Sequence, residues 1–148
     1  MNWSVHYIQA KDLDAVWPLA APLLEPAVGL SEGRYDMDAV RASLDKRHSL
    51  LWVVYADSLD VVAAFTTREA RYPCASFLSV DFLGGGQMNE WVSKADEVLS
   101  NFARDAGLAG VEMVGRKGWA KALGAFGWRE NAVMLVKTAS VGAQEEAA

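Results

Sequence analysis

The chain of 148 residues is poor in the side chains that cross-link and bind metals. Its single cysteine, Cys74, leaves no partner for an internal disulfide, and a reducing cytoplasm is the simplest setting. The two histidines, His6 and His48, lie far apart with no Cys or carboxylate beside them at ligand spacing, so no metal site is expected. Long apolar runs are also missing: none approaches the ~20 residues that cross a bilayer, which argues against a membrane partner. The start, MNWSVHYIQAKDLD, has neither the basic residues nor the apolar centre of a signal peptide. There is no basic excess, because the formal charge is −5, and this speaks against nucleic acid as a partner.

What is present suits one globular domain: 52% of residues are hydrophobic and 22% charged. Residues 1–139 are expected to form it, with 140–148 (SVGAQEEAA) as a flexible tail that has little to bury. Period-two alternation over Trp3–Gln9 predicts a first strand. Asp12 is expected to cap a helix carrying Leu13, Val16, Trp17, Ala20, Leu23 and Leu24 on one face, kinked or divided by Pro18, Pro22 and Pro26. Asp36 caps a second, short helix through Met37, Val40 and Leu44. Leu50–Ala56 and Val61–Ala70, joined by Asp57-Ser58-Leu59-Asp60, predict an antiparallel hairpin, and Ala75–Leu83 a further strand.

Then comes DFLGGGQMNEW, three glycines between a strand and the best amphipathic pattern in the chain. From Gln87 to Ala106, Met88, Trp91, Val92, Ala95, Val98, Leu99, Phe102, Ala103 and Ala106 recur at helical spacing, and Gly107 closes the helix. Bare backbone at a helix N-terminus can present N–H groups to an anion; the same glycines can simply serve a tight turn. After it, Gly110–Val114 reads as a strand, Trp119–Phe126 as a brief helix ended by Gly127, and Trp128–Thr138 as a final strand.

The segments LGGGQMNEW, GVEMV and AFGW, in this element order, resemble the second half of the Gcn5-related N-acetyltransferase (GNAT) family. GRKGW, with the glycine turn, is similar to compact members of that family from tailed bacteriophages. The resemblance implies an α/β three-layer sandwich, with a mixed central sheet of about six to seven strands flanked by about four helices. It implies acetyl-CoA as cofactor, its pyrophosphate held by Phe82, Leu83, Gly84, Gly85, Gly86, Gln87, Met88 and Asn89 around the turn, with Arg116 as a further cofactor-binding candidate. Asp81 and Glu112 are the candidate catalytic carboxylates, able to take a proton from the acceptor ammonium so that the neutral amine attacks. Each has a plainer reading as a solvated strand residue, and Arg116 as a surface ion pair. Two positions depart from the family pattern: no Arg precedes the glycines, and Leu123 stands where the family carries a Tyr acid.

Two functions follow from the resemblance. One is an acyl-CoA-dependent N-acyltransferase with a small-molecule or protein amine as acceptor. The other is a catalytically inactive binding or structural protein on the same fold, virion-associated, with a protein partner or a second copy of itself.

Overall fold

The hairpin strands carry continuous apolar runs buried on both sides, and with their neighbours they build one sheet with a covered face on each side. A computed structural model of the chain describes residues 2–115 and 117–139. Five strands, β1 (Ser4–Tyr7), β2 (Leu50–Tyr55), β3 (Val61–Arg71), β4 (Ser76–Gly85) and β5 (Gly110–Met113), lie in sequence order across it. The first four run antiparallel and β5 joins β4 in parallel. Helices α1 (Leu13–Gly29) and α2 (Met37–Asp45) cover one face, burying Leu24, Val28, Val40 and Leu44 against Leu51, Val53 and Ala64. On the other, α3 (Met88–Asp105) sets Trp91, Ala95, Leu99 and Ala103 against Trp52, Phe65, Leu78 and Val80, and Trp119 of α4 (Lys117–Gly124) packs beside them. No described helix is long and apolar enough to cross a membrane.

The mixed α/β sandwich agrees with the sequence reading, but the sheet has five strands among the described residues, not six to seven. The missing one is the final strand. The chain leaves α4 through Gly127 at φ +89°, and the Trp128 indole donates to Asp96 on α3 at 2.7 Å. Past that anchor, residues 129–139 pair with no strand, and Val133–Val136 stand exposed. The edge they would extend, β5, offers only four residues. The tail 140–148 and Arg116 lie outside the described residues.

The proline-bearing helix, expected to be kinked or divided, is not divided: it runs unbroken from Leu13 to Gly29. Pro18, Pro22 and Pro26 are four residues apart, so they form one stripe, and all three are exposed, opposite the buried Ala20, Leu24 and Val28. The carbonyls that lose their donors therefore face water, which supplies the bonds on the convex side of a surface helix. Asp36 does cap α2, accepting from the Ala39 amide at 2.8 Å, whereas the Asp12 side chain caps nothing. Arg41 ties the two helices: its guanidinium meets Asp14 of α1 and Asp45 and lies 5.5 Å from the centroid of the Trp17 ring.

The glycine triplet divides in a way the sequence did not show. Gly84 and Gly85 belong to β4, pairing with Ala64 and Ala63, and only Gly86 is in the turn. A Cβ on Gly84 would overlap the Leu23 carbonyl of α1, so its absence lets the helix backbone lie directly on the strand. Gly85, at φ +129°, would likewise overlap Val62 and Ala63, whereas Gly86 faces open space. Gly84→Ala should therefore cost about 3 kcal/mol or more by overpacking, and Gly86→Ala less than about 0.5 kcal/mol, as read from urea unfolding midpoints. Equal midpoints for the two variants would remove the steric account of Gly84.

Candidate functional site

The site begins where two strands part. Parallel pairing of β4 with β5 holds from Phe77–Gly110 to Val80–Met113 and then stops, while β4 runs on through Gly85 without β5 beside it. At the same point β4 bulges: Thr67 pairs with Val80 and Thr66 with Phe82, leaving Asp81 unopposed. A bulge bends its strand and re-aims the side chain that it carries. Here it turns Asp81 toward the α1–α2 face, where the carboxylate is 18% exposed.

Both candidate carboxylates lie on that face. Arg68, Ser79 and Glu112 sit opposite one another across β3, β4 and β5. Ser79 Oγ donates to Asp81 Oδ1 at 2.9 Å, and the Arg68 Nε lies 2.9 Å from Oδ2. Glu112 accepts from the Tyr72 hydroxyl at 2.6 Å. Burial pushes the Asp81 carboxyl above the ordinary carboxylate value; the Ser79 bond and the Arg68 charge pull it back, and the nearby Glu112 charge adds to the rise. The bond to Glu112 likewise raises the Tyr72 hydroxyl. Asp81 opens into a cavity of about 220 Å³ whose walls include Tyr35, Ser43, His48, Thr66, Arg68 and Phe82.

Opposite this cavity, through the sheet, is the start of α3. Gln87 takes a left-handed conformation at φ 56°, and among the described residues nothing accepts from the amides of Gln87, Met88 and Asn89. Those three N–H groups and the helix dipole suit an anion. The turn before them is held from both sides: Gly86 N–H donates to the Val62 carbonyl at 2.9 Å, and its carbonyl accepts from the Trp91 indole at 2.7 Å. Between α3 and α4 runs a narrow apolar gap of about 20 Å³, lined by Leu83, Met113, Trp119, Leu123 and Trp128.

The structure thus brings Asp81 and Glu112 to one face and places Leu83 in the lining of the gap on the other, with Gly86, Gln87, Met88 and Asn89 following it in the turn and the first residues of α3. Phe82 lies on the α1–α2 face, edge-on to Tyr35 at 5.1 Å, away from the other cofactor-binding candidates. Leu123 is buried in the gap, so this position holds no proton donor. Among the described residues no group of His, Cys, Asp and Glu is arranged to hold a metal. Sequence reasoning missed Arg68, Tyr72, Tyr35 and His48. Folding β3 back on β4 about Pro73 would have placed Arg68 opposite Ser79; nothing local marks Tyr35 or His48, which arrive from loops flanking α2.

No family model matches the chain, and no curated protein matches it in sequence. Its fold is that of solved acetyltransferases. A predicted acetyltransferase from Clostridium acetobutylicum, solved with acetyl-CoA, superimposes with a TM-score of 0.64 at 10% identity, covering 93% of this chain and 96% of that one. An aminoglycoside acetyltransferase from an uncultured soil metagenomic sample gives 0.66 at 14%, covering 93% and 97%. A transcriptional regulator from Bacillus halodurans gives 0.63 at 14%, covering 93% and 99%. At these identities the likeness is one of fold.

Asp81 carries a pH signature. Its raised folded pKa means that the native state holds this proton more tightly than the unfolded chain, so its contribution to stability falls as pH rises from the ordinary carboxylate value through the raised one. Asp81→Asn removes that loss. The urea midpoint of the variant, relative to the parent, should climb between about pH 3.5 and 7; a difference that stays level across this range would show that Asp81 titrates normally.

Proposed function

We propose that this chain is an acetyl-CoA-dependent N-acetyltransferase, and the observation that carries the reading is the parting of β4 from β5 between an anion-ready helix terminus and a buried carboxylate. The amides of Gln87, Met88 and Asn89, with open Gly86 beside them, fit the cofactor's pyrophosphate; Gly84 and Gly85 shape the strand that presents them. Leu83 and Met113 flank the apolar path toward the parting. Bound there, the cofactor would supply an acetyl group activated as a thioester, whose C–S bond breaks as the N–C bond forms, the thiol leaving with the second proton that the acceptor nitrogen gives up.

The chain's own residues do the rest. Asp81, reached from the opposite face, accepts the acceptor's ammonium proton and frees the attacking lone pair. Its raised pKa makes it a better base than an exposed Asp, and Arg68 and Ser79 fix its two oxygens in place. Glu112, held by Tyr72, keeps a negative charge beside it. Catalysis of this kind is mainly positioning and deprotonation.

A second reading, a fold kept for binding a protein partner or another copy without chemistry, draws on buried Leu123 and the narrowness of the α3–α4 gap. One titration separates the two. Acetyl-CoA at a hundredfold its dissociation constant should stabilise the fold by ~2.7 kcal/mol, visible as a raised melting temperature. Gly86→Asp, which places a negative charge at the anion site without touching the core, should abolish that rise and leave the unliganded melting temperature near the parent value. A melting temperature unmoved by saturating acetyl-CoA would favour the non-catalytic reading.

A further inference from the structure

The acceptor-side cavity carries charges of both signs within reach of one another. Arg68 spends only Nε on Asp81; among the described residues neither Nη atom has a hydrogen-bond or ion-pair partner, although the side chain lines the cavity. A guanidinium edge left open in this way matches a carboxylate in two-point geometry. Next to it, Asp81 matches an ammonium. The two recognition elements are therefore adjacent, and their complement is a molecule whose amino and carboxylate groups are themselves adjacent.

We propose that the cavity binds a free α-amino acid, its carboxylate on the Nη edge of Arg68 and its ammonium on Asp81. The rest of the lining agrees with such a ligand. The Tyr35 and Phe82 rings, 5.1 Å apart, form an apolar wall for a side chain, and the paired hydroxyls of Ser43 and Ser49, 2.7 Å from each other, offer polar contacts on another wall. A polycationic acceptor of the aminoglycoside kind fits poorly: the cavity holds a single carboxylate against Arg68 and His48. At about 220 Å³ it is also smaller than the roughly 300–1,000 Å³ typical of drug-sized ligands.

Acetylation of this amino acid rests on the acetyltransferase reading above, whereas its binding does not, and the experiment keeps the two apart. Calorimetry of the full chain, without acetyl-CoA, would compare the proteinogenic L-amino acids with their α-amides and with the corresponding amines lacking the carboxylate. At least one amino acid should bind, and bind about tenfold or more tightly than its amide and its amine. Arg68→Gln should bring that ratio toward one, and Arg68→Lys should restore part of it. Amides or amines that bind as well as the acids, a preference that survives Arg68→Gln, or an absence of binding by every amino acid would each overturn the proposal. Product mass analysis with acetyl-CoA added then reads the transfer step separately: an amino acid that binds but is never acetylated leaves this site standing and counts against the acetyltransferase reading.

Discussion

The sheet is organised by a pairing that stops. β4 is bonded to β5 up to Val80 and Met113, and from there one edge of β4 has no strand beside it although the strand lies inside the molecule. Unpaired backbone N–H and C=O groups within a fold are costly unless something satisfies or covers them. The bulge at Asp81, the close approach of α1 at Gly84 and the pinned turn at Gly86 all lie along this short unpartnered length. Strain and open hydrogen-bonding capacity are thus gathered in one place, and elsewhere among the described residues the pairing is broken only by a register shift at Val54–Tyr55 between β2 and β3.

The two faces divide the work. Against α3 the packing is large and apolar, with Trp52 and Trp91 each 1% exposed and the Trp52 indole bonded to buried Thr67 at 2.8 Å. Burying side chains of this size contributes on the order of 2–3 kcal/mol each, which is ample to hold the sheet flat against α3 while its edge is open. Against α1 and α2 the core is apolar only toward the β2 side. Toward β5 it gives way to Arg68, Ser79 and Glu112 in register across three strands, with the bulged Asp81 beside them. A polar row of this kind persists because its members satisfy one another: among the described residues no buried side-chain polar atom lacks a partner.

The fold was legible wherever periodicity was unambiguous. The α3 stripe comes straight from its 3.6-residue spacing, and the β2–β3 hairpin from two short apolar runs joined by the polar turn at residues 57–60. The expectation that the three prolines could divide α1 misled, because a proline count ignores which face the residues occupy. Their four-residue spacing, read as a stripe, already implies an exposed side, and an exposed side is where water replaces the lost bonds. The Trp128–Thr138 run misled for the opposite reason. Its composition is that of a strand, but strand formation needs a neighbour with a free edge of matching length, and that is a property of the sheet and not of the segment.

The site was legible only as far as a single strand reaches. Asp81 and Ser79 are two residues apart and so share a face, which sequence alone shows; that Asp81 is also a bulge residue depends on the register of β3, fifteen positions upstream at Thr66. The glycines show the same limit. Chosen by sequence as one cradle, they serve three demands: Gly84 answers to a helix backbone, Gly85 to a positive φ beside β3, and only Gly86 stays open to solvent. A ligand-binding turn and a packing constraint can therefore occupy consecutive positions and look identical in one dimension. What distinguishes them is the partner across the gap, and for Gly84 that partner is the carbonyl of Leu23, in a helix that its three prolines leave undivided.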